Sequence, residues 1–293
     1  MGSEMCIRDS TNFNFGQNPS FSGNVTTGTN ADGNGKGLFK YAPPTGFLAL
    51  CDDNLPTPAI ADPGKHFKSV LWTGDGNTGH SISKVGFKPD LVWIANRERN
   101  TYKPVFDSVR GATNMLRSNQ NVAQGSFNTV LQSFDSDGFT VGDDGAHNAS
   151  GEQVVGWCWK AGGSSNTFNV DGTGYASASA AGITEGNLAL TGASINKKSG
   201  FSIVKFTANN NASATIGHGL NSKPKFVIVK DTANSDDWQT KFVDDNTYFA
   251  LNTTSAGSAS YSNYTATDTV INLGYTWNNG SGLHVAYSWT SVP

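Results

Sequence analysis

Apolar residues alternate with other residues in short runs along most of the chain, and this spacing predicts β-strands. In the run 69–73, Val70 and Trp72 fall on one face of the predicted strand, because side chains alternate with a period of two. Turn dipeptides such as Asp137-Gly138 separate the runs and supply the positive φ that tight hairpins need. The pattern therefore predicts an all-β fold of short strands.

Three stretches of this pattern recur in the same order in the second half of the chain. Residues 69–73 match 202–207 with Val70 on Val204, residues 88–94 match 223–229, and residues 155–159 match 285–289. The constant order predicts an internal duplication of a β-sandwich of the jelly-roll or concanavalin-like kind. The predicted division is repeat 1 at 63–162, a Gly/Ser/Ala-rich connector at 163–199 that forms a hairpin, and repeat 2 at 200–293.

Comparison of the two copies predicts which face of each strand is buried. The Val70 and Trp72 face stays apolar in the second copy, so we assign it to the core. The middle strand, 91–94, is apolar on both faces, as in a strand covered from two sides. In the last strand the large Trp157 and Trp159 are expected to point inward, with the small Gly156 and Cys158 on the opposite face.

The first residues and the composition narrow the setting. Residues 5–10, Met-Cys-Ile-Arg-Asp-Ser, resemble the translation of a common sequencing adapter, so we interpret residues 1–10 as an artefact and expect the natural chain to begin further upstream. Charged residues make up 15% and the net charge is −3, which disfavours a nucleic-acid partner. No apolar run is long enough to predict a membrane span. With 3 cysteines a disulfide framework is not expected, and Cys158 is predicted to be a small buried hydrophobe.

Several motifs resemble a known kind of protein. Asn12-Phe13-Asn14-Phe15-Gly16-Gln17, followed by residues 41–50, resembles the closing strand of a SPRY domain and the segment after it in large proteins of marine phages. Residues 86–94, 106–112, 134–139 and 157–163 resemble an uncharacterised domain that follows SPRY in those proteins. The resemblance implies that residues 11–62 are the remnant of a SPRY-like domain with a lead-in, and that the chain belongs to a virion or tail fibre. It supplies no catalytic residue.

Catalytic and metal-binding motifs are weak in this chain. Gly79-His80-Ser81 lacks the second glycine of a nucleophile elbow, and no zinc-binding spacing occurs. We therefore expect no enzyme activity and no cofactor. Calcium is the one metal with some support, from paired acids in turns, although solvated turns explain them better. These pairs are Asp52-Asp53, Asp143-Asp144, Asp236-Asp237 and Asp244-Asp245.

Arginine is distributed unequally between the two copies. Apart from Arg8, every arginine lies in the first copy, and a feature that only one copy has is a candidate for function. Guanidinium groups suit carboxylate or phosphate recognition. The predicted ligand-binding residues are Arg97, Arg99, Tyr102, Lys103 and Arg110. The alternative is a structural loop in which these arginines pair with Glu98, Asp107 or Asp90.

The expected function is a non-catalytic structural or adhesion module of a phage virion that binds a host-surface glycan or other virion proteins. Its location would be the virion or the extracellular space, and a homo-oligomer is compatible with this role. The alternative is a carbohydrate-binding module of a secreted bacterial protein, whose signature is exposed, coplanar aromatic rings on a sheet face. A third class, a hydrolase, needs paired acids across a groove, and the spacing identifies no such pair.

Overall fold

A computed structural model describes residues 20, 26, 28–244, 247–257 and 264–292 of the chain. The predicted artefact at residues 1–10 and most of residues 11–27 lie outside the described residues. The described chain consists of strands, loops and three short 3-10 turns, which confirms the all-β prediction. It divides into two compact units, Met1–Pro58 and Ala59–Pro293.

The first unit contains a loop organised by one carboxylate. Asp32 accepts hydrogen bonds from the backbone N–H groups of Asn34, Lys36 and Ala49 and from the side chain of Asn54. Burial opposes ionisation of Asp32, but these donors outweigh it and lower its pKa to about 2. The glycine-rich stretch 33–37 is thus a loop wrapped around a carboxylate.

In the second unit, the described residues form 19 strands. The strands of its first half are β1 (Phe67–Thr73), β2 (His80–Ile82), β3 (Leu91–Asn96), β4 (Pro104–Asp107), β5 (Asn114–Arg117), β6 (Gly125–Ser126), β7 (Leu131–Asp135), β8 (Gly138–Val141) and β9 (Gln153–Trp159). The remaining strands are β10 (Phe168–Val170), β11 (Thr173–Tyr175), β12 (Leu190–Asn196), β13 (Phe201–Thr207), β14 (Thr215–Gly217), β15 (Pro224–Asp231), β16 (Gln239–Phe242), β17 (Thr247–Ala250), β18 (Val270–Asn272) and β19 (Leu283–Thr290).

Each half has one large sheet and one small sheet. The first large sheet has the order β1-β9-β3-β4-β5-β6, and the first small sheet has the order β2-β8-β7. The second large sheet has the order β11-β10-β12-β13-β19-β15-β16-β17, and the second small sheet pairs β14 with β18. The predicted connector thus supplies β10, β11 and β12, of which β10 and β11 form a hairpin.

Three hydrophobic cores lie between these sheets. In each half an outer core separates the large sheet from the small one, and it includes Val70 and Trp72 in the first half and Val204 and Phe206 in the second. A third core, here called the shared core, joins the two large sheets. Its buried members are Leu91, Val105, Leu116 and Ala161 from the first half and Phe201, Ile203, Ile228, Trp238, Val285 and Tyr287 from the second.

Burial tests the predicted strand faces. Val70 and Trp72 are buried while Leu71 between them is 63% exposed, which confirms the predicted face of β1. The middle strand β3 is buried on the face of Val92 and Ile94, whereas Trp93 and Ala95 on the other face are half-buried, so the prediction of cover on both faces is confirmed only in part. For β9 the prediction is wrong, because Gly156 and Cys158 are the fully buried residues and Trp157 is only half-buried.

The small residues of β9 have a packing reason. A Cβ added at Gly156 would lie 3.2 Å from the rings of both Phe139 and Trp72, so large residues of neighbouring strands already fill this part of the core. Cys158 is buried as predicted, and burial raises the pKa of its thiol to about 12. The small face of β9 therefore points into the outer core, and its tryptophans lie on the other face.

Candidate functional site

A loop at residues 97–103, here called the basic loop, follows β3 and carries most of the predicted binding residues. Asn96, the last residue of β3, accepts hydrogen bonds from the backbone N–H groups of Glu98 and Arg99 at 2.9 and 3.0 Å. Its amide nitrogen donates to Glu152 Oε2 at 2.6 Å and to the carbonyl of Ala146 at 2.8 Å. Because Asn96 is buried, the start of the basic loop is fixed to the sheet.

The two arginines of the basic loop differ in their freedom. The guanidinium of Arg99 lies 2.6 Å from Glu152 Oε2 and also donates to the carbonyl of Gly145. Hydrogen bonds from Arg99 and Asn96 hold the pKa of Glu152 below its usual value. Arg97 is exposed, and no described residue accepts a hydrogen bond from its guanidinium. Arg97 is therefore the more available of the two cations.

Tyr102 anchors the other end of the basic loop. Its hydroxyl donates to Asp144 Oδ1 at 2.8 Å, and the second oxygen of Asp144 lies 2.8 Å from His147 Nδ1. His147 Nε2 in turn lies 2.8 Å from the carbonyl oxygen of Tyr102, so the three residues form a closed ring of contacts. Burial would raise the pKa of Asp144, but the hydrogen bonds from His147 and Tyr102 keep it below its usual value. Burial and the bond to Asp144 raise the pKa of Tyr102.

A third arginine joins the site through Tyr102. The guanidinium carbon of Arg117 lies 4.5 Å from the centre of the Tyr102 ring and 5.7 Å from that of Phe127, which is cation–π distance. Sequence reasoning did not place Arg117 in the site, and the signal lies in the register of β4 and β5. Pro104 is opposite Arg117, so the hairpin brings Arg117 beside the end of the basic loop.

Lys103 is the last residue of the basic loop. Its backbone N–H donates to Asn119 Oδ1 at 2.8 Å, which ties the basic loop to the turn after β5. Within the described residues, its ammonium group forms no ion pair.

Arg110 lies elsewhere, buried between the two large sheets. Its Nε donates to Asp107 Oδ2 at 2.5 Å, and the Tyr287 hydroxyl, from the other half of the chain, donates to the same oxygen at 2.6 Å. The remaining donors of Arg110 are also used, by the Tyr287 hydroxyl oxygen, the carbonyls of Val105 and Asn114, and Gln124 Oε1. All five guanidinium N–H groups have partners. The structure therefore does not bring Arg110 to the binding surface.

In each acid pair considered for calcium, at least one carboxylate is engaged with a neighbouring side chain, as described above for Asp144. Asp53 pairs with Lys36 at 2.7 Å, and Asp244 pairs with Lys223 and Lys225. Asp236 and Asp237 accept hydrogen bonds from Asn279 and Asn252, and Asp245 lies outside the described residues. Across the described part of the chain, no group of three or more His, Cys, Asp or Glu side chains is arranged to hold a metal ion.

Fold and site together define an all-β protein of packed sheets with a cationic, aromatic surface loop at the end of a large sheet. The chain belongs to the family described as Domain of unknown function (DUF7483), whose model matches residues 62–293. The match spans both halves of the second unit. It confirms the prediction that this region is an uncharacterised domain. No curated protein and no solved structure matches the chain. Among the described residues, no helix is both long and apolar enough to cross a membrane.

Proposed function

We propose that the chain is a non-catalytic structural or adhesion module of a phage virion, in a tail fibre or another surface protein, located on the virion. In this role the basic loop binds an anionic glycan or protein of the host surface. The observation that carries the proposal is the exposed Arg97 on a loop that also contains Arg99 and Lys103 and is anchored at both ends by buried side chains. Arg117 on the Tyr102 ring adds a planar cation suited to carboxylates.

The setting rests on the resemblance of the chain to the region after SPRY in marine phage proteins. A non-catalytic role is supported by the histidines, each of which has at least one ring nitrogen in contact with a polar atom of the fold. The partners are Asn196 for His66, Asn148 for His80, Asp144 and Tyr102 for His147, Thr267 and Leu220 for His218, and Gly282 for His284.

We further propose that the two halves arose by tandem duplication. The order β1-β9-β3-β4-β5 of the first large sheet equals the order β13-β19-β15-β16-β17 of the second, strand for strand along the chain. The small sheets, β2 with β8 and β14 with β18, occupy matching places in the order. The jelly-roll or concanavalin-like arrangement of each half stays a prediction.

A glycan array tests the proposed binding. We expect the full chain to bind acidic glycans, and the triple variant Arg97→Ala, Arg99→Ala, Lys103→Ala to bind at least about tenfold more weakly because its cationic contacts are gone. The matched control removes three exposed lysines outside the loop, by Lys65→Ala, Lys88→Ala and Lys197→Ala, and should bind like the unmodified chain. Equal binding by the folded triple variant would contradict the proposal.

One pair of side chains bears on the alternative, a carbohydrate-binding module of a secreted bacterial protein. Trp93 and Trp157 are half-buried side by side on a face of the first large sheet, with ring centres 6.4 Å apart. Their planes meet at 74°, whereas a flat sugar-stacking platform needs rings that are nearly coplanar. Binding of neutral polysaccharide that Trp157→Ala abolishes would support this alternative.

A further inference from the structure

Strand β1 is an open edge of the first large sheet. It pairs with β9 on one side, and no described strand pairs with the other. The N–H of Lys160 donates to the carbonyl of His66, and the N–H of Gly74 donates to the carbonyl of Glu152, each at 2.8 Å. These two bonds fix the hydrogen-bonding pattern between the strands: the backbone N–H and C=O groups of the even-numbered residues of β1 bond to β9. The backbone groups that point to the open edge belong to Phe67, Ser69, Leu71 and Thr73.

The second large sheet closes the edge that corresponds to this one. Strand β13 takes the place in its sheet that β1 takes in the first, and β12 pairs antiparallel with its outer side. In this pairing Ala193 lies opposite Val204, and Ile195 opposite Ser202. β12 comes directly before β13 in the chain, whereas the residues before β1, Pro63–Lys65, form a 3-10 turn. Within the part of the chain that the structure describes, the first sheet thus has no strand in the place where β12 completes the second.

An apolar face lies beside the open edge. Leu71 is 63% exposed, and its cross-strand neighbours are Val155 on β9 and then Ala95 on β3. The next row places Trp157 beside Trp93, both half-buried. The face is therefore exposed at the edge and partly covered toward the middle of the sheet.

The same rows in the second large sheet are covered. Val285 and Tyr287, which correspond in the repeat to Val155 and Trp157, are 0% and 1% exposed. The cover comes from the first half, where Arg110 and Asp107 contact the Tyr287 hydroxyl. Unpaired backbone and uncovered apolar surface therefore coincide at the β1 edge.

We propose that β1 is a docking site for an extended strand of another polypeptide, which adds antiparallel to β1 and completes the first large sheet as β12 completes the second. The outward N–H and C=O groups supply the backbone bonds of strand addition, which do not depend on the sequence of the incoming strand. Side-chain preference comes from the open face, since a residue placed opposite Leu71 lies beside Val155 as well. The partner segment is thus expected to be free of proline and to carry an apolar residue at that position.

A synthetic peptide tests the proposal on the full chain. The probe is residues 188–197 of the chain, which contain β12, with Gly192→Leu so that a leucine faces Leu71 when the peptide pairs as β12 does with β13. Fluorescence anisotropy measures its binding, and hydrogen exchange reports whether the amides of Ser69, Leu71 and Thr73 become protected. The unmodified 188–197 peptide should bind more weakly, because glycine offers no apolar side chain to Leu71.

The matched variants separate backbone from side chain. Ser69→Pro removes an N–H that points away from β9, so the protein should fold while the peptide binds at least about tenfold more weakly. Leu71→Thr keeps the backbone edge and should weaken binding only about threefold. Thr73→Pro serves as a second blocking variant if Ser69→Pro lowers stability.

Three results would overturn the proposal. The first is no binding of the peptide to the unmodified chain at millimolar concentration, and the second is unchanged binding to both proline variants. The third is a dimer of the free chain that Ser69→Pro converts to a monomer, because the occupant of the edge would then be a second copy. None of these results depends on the basic loop, so the glycan-binding proposal stands or falls separately.

Discussion

Two buried cations, Arg110 and Lys230, connect the halves of the chain in different ways. Arg110 has a carboxylate partner, Asp107, at 2.5 Å. The ammonium of Lys230 instead contacts carbonyl oxygens, at 2.7 Å for Asp231 and 3.4 Å for Asn234 and for Asn121 of the first half. Burial without a close counter-charge lowers the pKa of Lys230 to about 8. Arg110 is thus paired with a carboxylate, whereas the hydrogen bonds of the Lys230 ammonium go to backbone carbonyl oxygens.

Removing the guanidinium of Arg110 should be strongly destabilising. We expect Arg110→Met to lower the free energy of unfolding by about 3–5 kcal/mol, because Asp107 is 0% exposed and would keep a buried, unpaired charge. Urea denaturation followed by tryptophan fluorescence measures this. Arg97→Met, at an exposed site, is the control and should change stability by less than about 0.5 kcal/mol. A loss below about 1 kcal/mol for Arg110→Met would show that the pair does not stabilise the shared core.

Lys230 should make stability depend on pH in the alkaline range. Between pH 8 and about 10, Lys230 has released in the folded chain a proton that it still holds in the unfolded chain, so this group makes stability rise with pH. The buried Cys158 thiol contributes in the opposite direction, because the unfolded chain ionises it in the same range, so the contribution of Lys230 is the difference between the chain with and without the lysine. The slope is at most about 1.4 kcal/mol per pH unit. The rise should be absent in Lys230→Met, as measured by urea denaturation at several pH values from 7 to 10. Parallel curves for the two proteins would contradict the lowered pKa.

The arginine asymmetry shows which placements residue-level reasoning from sequence can and cannot make. It located Arg97, Arg99, Tyr102 and Lys103, which are neighbours in the chain and therefore on one loop. The presence of Arg110 in the first half alone has a packing cause. Its guanidinium fills a space between the two large sheets, and only one of the two halves can supply the side chain that fills it. Arg117 was missed because its contact with Tyr102 depends on the register of two strands, which the sequence alone does not specify.

At the level of strands, the sequence predicts that burial alternates along a strand. It does not always predict which of the two faces the neighbouring sheet covers. In β1 the alternation and the face are both right, because Val70 and Trp72 are the only large apolar residues on one face. In β9 both faces carry apolar residues, and size misled, since Gly156 is small to admit Phe139 and Trp72. Burial there depends on what the adjoining sheet supplies, and this is a tertiary property.

Strand β1 should show alternating protection in hydrogen exchange. The amides of Val70 and Trp72 bond to β9 and should exchange slowly, whereas those of Ser69 and Leu71 face the open edge and should exchange at least about a hundredfold faster. In β13 every amide from 202 to 206 lies between two partner strands and should be slow, which provides an internal control. Uniform protection along β1 in the isolated chain would mean that its edge is already occupied.

The whole second unit is expected to unfold as one body. Besides the shared core, the halves are joined by Trp238 Nε1, which donates to the carbonyls of Arg117 and Gln120, and by the N–H of Gln124, which donates to the carbonyl of Thr232. The predicted boundaries at residues 162 and 200 therefore fall within a continuous interior. The sequence could not predict this packing, because the residues of the shared core are apolar in either arrangement.

A core substitution far from the shared interface tests this cooperativity. Ile216→Ala, in the outer core of the second half, should lower the free energy of unfolding by about 2–5 kcal/mol. Hydrogen exchange should report the same loss at the amides of Val92 and Ile94 in the first half. All 7 tryptophans lie in this unit, so fluorescence should follow a single transition with temperature. Two separate transitions would indicate that the halves are independent domains.

The contact between Arg110 and Tyr287 also limits recombination between genes that encode related members of this family. A crossover within residues 111–286 would combine an Arg110 from one parent with a C-terminal strand from another. If that strand lacked the tyrosine hydroxyl, Asp107 Oδ2 would lose one of its two side-chain donors in the hybrid. Viable exchanges are therefore expected at the ends of the 62–293 region, or between parents that share both residues, and this stretch should be inherited as one block.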